Sequence, residues 1–156
     1  MGTRFPTQDP SFLVGLHMVY EYSAGIRVEL YVRNPSSVDY RVLKGPVAER
    51  WVTGQEATVA SLGAGTGILS WAEATGSTVS LVINPDDRWV YGSAFFAKWV
   101  EDQPHLTTGH QNENLRSILD LRNEGPIAPH SALHQFAKVI AMEYRGTDDD
   151  RVMTPT

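Results

Sequence analysis

The chain has 156 residues, a formal net charge of -5, 20% charged residues and no cysteine. That length suits one domain with a proper core, and the 13 lysines and arginines are scattered, which excludes the basic stripe of a nucleic-acid or anionic-membrane binder. Without cysteine there is no disulfide, thiol nucleophile or thiolate metal site, and no apolar run approaches the length of a membrane span.

Residues 1–10 read as a loose leader without the apolar centre of a signal peptide, so a cytoplasmic protein is expected. The single domain is placed at residues 11–145, and residues 146–156 read as a polar, acidic tail. Within the domain, turn signals such as Asn34-Pro35-Ser36-Ser37, Gly45-Pro46 and Asn84-Pro85-Asp86-Asp87 recur about every ten residues between short runs rich in Val, Tyr, Trp, Leu and Thr. That rhythm belongs to an antiparallel meander, closed as a barrel or folded as a sandwich.

Alternation within the runs assigns faces, because residues two apart on a strand point the same way. Leu16, Met18, Tyr20 and Tyr22 share a face, which sends two phenols inward behind two core residues. Ile26, Val28, Leu30 and Val32 form an apolar face, with Arg27, Glu29, Tyr31 and Arg33 on a wet one. Val38, Tyr40 and Val42 add a third phenol. Ala48, Arg50 and Val52 share a face of the next strand. A guanidinium there must reach water, find an anionic partner or await an anionic ligand. Leu69, Trp71 and Glu73 aim a carboxylate inward, and Val79, Leu81 and Ile83 read as apolar lining. With those faces interior, Arg50, Glu73, Tyr20, Tyr22 and Tyr40 meet in an otherwise apolar cavity. One helix is predicted near residues 112–124, with Asn112 as N-cap, Leu115, Ile118, Leu119 and Arg122 at helical spacing, and Gly125-Pro126 as the stop. A closing strand from His134 to Tyr144 follows.

Three motifs compete with this reading. Leu62 to Ser70, LGAGTGILS, resembles the glycine loop with which class I methyltransferases hold S-adenosylmethionine, and Asp86 follows at a suitable distance. The segment after Gly67 is too short for a crossover helix, so a glycine-rich hairpin turn is expected instead. His130 and His134 lie four apart, but Pro126 and Pro129 argue against a helix there and no third ligand is evident, so no metal site is expected. Inward tyrosines alone are common in strands; three of them beside a buried ion pair, which adds little stability, point to a ligand or catalytic cavity.

Seven collinear blocks carry a family resemblance: Met18-Val19-Tyr20-Glu21-Tyr22, Val38-Asp39-Tyr40-Arg41, Val47-Ala48-Glu49-Arg50-Trp51-Val52, Gln55-Glu56, Trp71-Ala72-Glu73-Ala74-Thr75-Gly76, Phe95-Phe96-Ala97-Lys98-Trp99-Val100 and Gln111-Asn112. In order and spacing they resemble the bacterial phenolic acid decarboxylases, from about Leu13 to Asn112, and the similarity weakens through the helix and final strand. The resemblance implies an all-β, antiparallel, lipocalin-like barrel, a homodimer, that removes CO2 from para-hydroxycinnamic acids without a cofactor. It implies catalytic roles for Glu73, Arg50, Tyr20 and Tyr22, and a cavity tyrosine at Tyr40. Substrate contacts are further expected from Ile26, Val28, Met18, Trp71, Val38 and Leu81.

Loss of CO2 from a vinyl carbon requires an electron sink. Protonating the α-carbon while the para-hydroxyl ionises gives a quinone methide, which accepts the electrons as the carbon–carboxylate bond breaks. Glu73 is expected to act as general acid, Tyr20 and Tyr22 as donors to the phenolate, and Arg50 to orient Glu73 and the substrate carboxylate. The reversed pose, with the tyrosines on the carboxylate and Glu73 on the phenol, fits the sequence equally well. The chain departs from the family at Ile26 and Val28, where Trp and Tyr are usual, at Ala74 and Ala97, where proline is usual, and in a shorter carboxy-terminal part. A divergent member acting on a modified or larger aryl-acrylic acid is expected. The rival readings are a lipocalin-like binding protein without turnover and, further off, a methyltransferase.

Overall fold

The computed structural model describes residues 2–154, and they form a ten-stranded sheet with few helices. Eight strands arise in meander order: β1 (Leu16–Tyr22), β2 (Arg27–Asn34), β3 (Ser37–Lys44), β4 (Arg50–Glu56), β5 (Thr58–Gly63), β6 (Thr66–Ala72), β7 (Thr78–Asn84) and β8 (Trp89–Phe96). The short helix α1 (Lys98–Asp102), the two-residue strand β9 (Gly109–His110), helix α2 (Leu115–Glu124) and the long strand β10 (Ser131–Tyr144) complete the chain. The sheet order is β5-β6-β7-β8-β10-β1-β2-β3-β4-β9, antiparallel throughout except for the β4–β9 pair. The last strand thus joins the two halves, pairing with β8 on one side and β1 on the other.

The mainly-β expectation is met, but the barrel is not closed by a strand ladder. β5 and β9 are the two edges, and among the described residues no ladder joins them. Side chains bridge the seam instead: Gln55 Nε2 donates to the Ala72 carbonyl at 3.1 Å, and β3 reaches the end of β6 through Tyr40 and Glu73. The glycine-rich Leu62–Ser70 stretch is the β5–β6 hairpin, with Gly63, Ala64 and Gly65 all at positive φ and no helix after it. That geometry overturns the methyltransferase alternative, whose loop must open a helix.

Burial follows the alternation in β1, where Leu16, Met18, Tyr20 and Tyr22 are buried and the residues between them half-buried. It fails on β2, whose supposedly wet face includes Tyr31, fully buried. The chain after β10 folds back over it, the Tyr31 hydroxyl donating to the Gly146 carbonyl at 2.6 Å and accepting from the Asp149 amide at 3.0 Å. Arg33 and Asp39 lie on the same outer face, paired through two bonds of 3.1 and 2.7 Å, and Asp150 takes a third bond from Arg33. At the other terminus Gln8 and Ser61 exchange two bonds of 2.9 Å.

Two helical expectations are corrected. The predicted helix begins at Leu115, with Asn114 rather than Asn112 as its cap, because Gln111–Glu113 form a separate 3-10 turn and the Asn112 side chain binds Thr53 instead. Helix α1 was not foreseen, since five residues are too few to show a helical period. Its Trp99 and Val100 pack with Ala97 and Ile118 as a second small core beside the main one.

Candidate active site

The interior of the curled sheet divides along its length. At one end Leu13, Leu16, Leu30, Val32, Val38, Leu69, Leu81 and Ile83 fill it completely, each fully buried. At the other end lies a cavity of about 390 Å³, in the range of small-molecule sites. Its walls are largely apolar, with Val28, Val42, Val79, Phe96, Val100 and Leu133 among them, and its polar groups include the five singled out from the sequence, Tyr20, Tyr22, Tyr40, Arg50 and Glu73, together with Thr75, Ser77, Glu101 and Ser131. Ile26 and Trp71 line it too. Met18, Val38 and Leu81 do not; they are packed in the solid end. They share a strand face with site residues, but a face says nothing about depth along the strand.

Arg50 opens β4 instead of sitting within an apolar strand. Val47 and Ala48 belong to the turn from Gly45, and Glu49, at φ +75, gives the chain the left-handed step that delivers Arg50 to the interior. Its side chain is 4% exposed. Nε donates to the Tyr40 hydroxyl at 2.9 Å, Nη1 to the Thr107 carbonyl at 3.2 Å, and Nη2 to Glu73 Oε2 at 3.3 Å and to Gln111 Oε1. Four of the five guanidinium N–H groups are thereby committed within the protein, which leaves one on Nη1. Burial opposes the Arg50 charge, but Tyr40 and Glu73 outweigh it and hold the proton more tightly than usual.

Glu73 lies just past the end of β6, in a turn closed by its amide donating to the Ser77 carbonyl at 2.8 Å. Gly76 at φ +91 makes this turn possible, since an added Cβ would lie 2.6 Å from Ile127. Trp99 of α1 braces the turn by donating from Nε1 to the Thr75 carbonyl at 2.8 Å. The Glu73 carboxylate accepts four bonds: Oε1 from the Tyr40 hydroxyl at 2.6 Å and Trp71 Nε1 at 3.3 Å, and Oε2 from Thr75 Oγ1 at 3.2 Å and Arg50 Nη2 at 3.3 Å. Tyr40 therefore stands between cation and anion, accepting from one and donating to the other, with its ring stacked on Trp71 at 5.7 Å.

Tyr20 and Tyr22 meet edge to face at 5.6 Å, 3% and 6% exposed, and among the described residues their hydroxyls find no hydrogen-bonding group beyond each other. Buried hydroxyls ordinarily bond to something, so these two are donors held ready for a ligand. Burial pushes Tyr20 well above the ordinary phenol value, with Tyr22 adding to the shift. It pushes Tyr22 up to about 12, against the contact with Tyr20. Tyr40 is raised well above it too, by burial first and by Glu73 second, with Arg50 opposing. All three are neutral at physiological pH and act as proton donors in hydrogen bonds.

Sequence reasoning missed Thr75, Gln111 and Thr107. Thr75 and Gln111 fall inside blocks already singled out, so attention to their polar side chains could have found them. Thr107 contributes only a backbone carbonyl, for which no residue type is a signal. His130 and His134 do not converge on a ligand set. His134 stands on the outer face of β10 and bonds to Ser93 Oγ at 2.9 Å, and the described residues hold no cluster of three His, Cys, Asp or Glu arranged for a metal.

A curled antiparallel sheet with a deep apolar cavity, a buried carboxylate–guanidinium pair and two phenols partnered only by each other defines a small-molecule site equipped for proton chemistry. The chain belongs to the phenolic acid decarboxylase family, whose model matches residues 11–156, well beyond Asn112 and through the final strand. It is therefore a carboxy-lyase. It is 37% identical over 150 residues to a probable phenolic acid decarboxylase of Vibrio cholerae, covering 96% of this chain and 86% of that protein. It is 34% identical over 141 residues to the phenolic acid decarboxylase PadC of Bacillus subtilis, covering 90% and 88%. A solved structure from Burkholderia vietnamiensis, assigned as a candidate beta-lactamase, shares the fold at a TM-score of 0.51 and 17% identity, over 91% of this chain and 99% of that one.

Proposed function

We propose that this enzyme decarboxylates a para-hydroxycinnamic-type acid without a cofactor, through a quinone methide, with Glu73 moving the proton. The observation that carries the reading is the pairing of two groups in one apolar cavity. Tyr20 and Tyr22 offer hydroxyls with no other partner, and Glu73 is held by four donors that fix its position. A phenol oxygen that gains negative charge as the quinone methide dissolves meets two neutral donors in a dry site, where such bonds are strongest. The substrate carboxylate then lies toward Arg50, whose remaining Nη1 N–H is available to it.

In this pose Glu73, entering the step as the carboxylic acid, gives its proton to the α-carbon while the para-hydroxyl passes its own to solvent, which leaves the quinone methide. CO2 departs, its bonding electrons form the vinyl double bond and restore the ring and the phenolate, and one proton from solvent returns to that oxygen and another to Glu73, for a net uptake of one proton. Arg50 is mainly a positioning group, because most of its donors are engaged before substrate arrives.

Ile26 and Val28 give the cavity aliphatic wall where the family has aromatic rings, which supports a substrate carrying ring substituents or a larger aryl group. A homodimer is supported by exposed apolar side chains on the outer face of β8 and β10, where Phe95, Phe136 and Ile140 are 45%, 62% and 43% exposed beside His134 and Lys138. The deciding experiment is incubation of the purified protein with para-coumarate, ring-methoxylated relatives and unsubstituted cinnamate, following loss of the cinnamate absorbance and appearance of CO2. Turnover of the hydroxylated acids but not of cinnamate is expected. Tight binding of all of them with turnover of none would overturn the catalytic reading, and full activity on cinnamate would overturn the quinone methide.

A further inference from the structure

Gly92 lies on β8, opposite Gln135 of β10 and Leu81 of β7, on the interior face that also carries Val90 and Ala94. Every other inward position of that strand has a side chain. A Cβ placed on Gly92 would lie 2.0 Å from the Tyr22 hydroxyl and 2.7 Å from two atoms of its ring, and these are its three nearest neighbours. The missing side chain is thus occupied by one object, the phenol end of a site tyrosine. The backbone supplies no other reason for glycine, since no positive φ occurs at this position. Tyr22 itself starts on β1, where it pairs with Ala137 of β10, and its side chain reaches across that strand to bring its hydroxyl to Gly92 of β8.

We infer that Gly92 is a positioning residue for the decarboxylation proposed above: it is the seat that fixes the depth of the Tyr22 hydroxyl in the cavity. The reasoning is steric. Real Cβ contacts essentially never fall under 3.0 Å, so any side chain here drives the hydroxyl from its 2.0 Å separation by about 1 Å or more. A tyrosine ring is rigid and turns on two torsions only, so its far end yields by swinging into the cavity, with the strand left in place. The ring meets Tyr20 edge to face at 5.6 Å, so the second donor is disturbed with the first.

The test is Gly92→Ala in two backgrounds. In the otherwise wild-type enzyme, kcat for para-coumarate should fall about ten- to a hundredfold, the scale for a misplacement of this size, with a smaller change in KM. In a Tyr22→Ala background the same substitution should change kcat by less than about twofold, because the only group it displaces is gone. Equal losses in both backgrounds, or a wild-type rate for the single variant, overturn the proposal. Should Gly92→Ala fail to fold, melting decides: Gly92→Ala/Tyr22→Ala melting with Tyr22→Ala alone supports the seat, and melting well below it overturns it. If the wild-type protein turns over no phenolic acid, the decarboxylase reading falls by itself. The crystal structure of Gly92→Ala then tests the seat separately: a Tyr22 hydroxyl moved by about 1 Å or more supports it, and an unmoved one overturns it.

Discussion

Replacing Glu73 by glutamine changes one oxygen to an amide and leaves the shape alone, which makes it the sharpest probe of the site. The four donors around the carboxylate cannot all be served by an amide. With the amide oxygen in the Oε1 position, Tyr40 and Trp71 keep their acceptor, and the Thr75 hydroxyl turns to accept, but Arg50 Nη2 faces an NH2 group. With the oxygen in the Oε2 position Arg50 is served, and the Tyr40 proton and Trp71 Nε1 are both left without an acceptor. Either way at least one buried donor is orphaned, at about 1–3 kcal/mol. Loss of the ion pair adds to this, but less than the 3–5 kcal/mol typical of breaking a buried pair, because Arg50 keeps Gln111, Tyr40 and the Thr107 carbonyl. The total is about 2–4 kcal/mol, a fall in Tm of roughly 5–15 °C for a chain of this size. Typical domain stabilities of about 5–15 kcal/mol leave the variant folded at 25 °C. Its kcat should nonetheless drop about 10²–10⁴-fold, the contribution of a positioned acid or base. The assay is the loss of para-coumarate absorbance, on protein shown to be folded by circular dichroism. A folded Glu73→Gln enzyme within threefold of the wild-type kcat would refute proton transfer by Glu73.

Arg50→Lys should be far from conservative: one ammonium cannot reach Tyr40, Glu73, Gln111 and the Thr107 carbonyl together, so kcat should fall about 10²-fold and Tm by several degrees, and a near-wild-type rate would contradict the positioning role. Tyr31→Phe should lower Tm by about 2–10 °C, through the orphaned Gly146 carbonyl and Asp149 amide, with activity at 25 °C unchanged because Tyr31 lies on the outer face; lost activity at unchanged Tm would refute that division. His17 lies between Glu29 at 2.7 Å and Glu143 at 2.9 Å, and the Glu29 bond, opposed by partial burial and aided by Glu143, raises its proton affinity. Both ring nitrogens face acceptors, so the imidazolium is the favoured form. A raised folded-state value means that its stabilisation is complete below the ordinary pKa near 6.5 and fades as pH rises through the raised one. Tm should therefore decline from about pH 6 to pH 9 more steeply in the wild type than in His17→Gln, and parallel curves would remove His17 as the cause.

Much of the site was legible in the sequence because it rests on a period of two. Tyr20, Tyr22, Tyr40, Arg50 and Glu73 come from four different strands or strand ends, and alternation sent each inward, although Arg50 owes its place to the turn before β4 and Glu73 to the turn after β6. What alternation cannot carry is position along the strand. Met18, Val38 and Leu81 share faces with Tyr20, Tyr40 and Val79, yet belong to the solid end. Nor can it see across the chain. Tyr31 and Asp39 are outward by register and buried in fact, Tyr31 beneath residues 146–149 and Asp39 against Arg33 and the Gly54 amide. The turn ending at Glu49 was hidden for another reason: Val47 and Ala48 suit a strand, and only the left-handed step at Glu49 shows where β4 begins.

The placement of polar groups explains why one molecule tolerates so poor a core at one end. A buried ion pair adds little net stability, and two phenol hydroxyls whose only partner is each other add little more. All of these lie in the hollow half, while the solid half holds no polar side chain among its eight fully buried aliphatic residues. A sheet that is not closed by a ladder needs its seam held in some other way, and the Tyr40–Glu73 bond and the Arg50–Glu73 pair cross that seam. The same bonds therefore fix the proton-transfer group and join β3 and β4 to the end of β6. From this follows the coupling predicted for Glu73→Gln, in which activity and melting temperature fall together. Changes at Tyr20 or Tyr22, whose hydroxyls bridge nothing, should reach the chemistry and leave the seam intact.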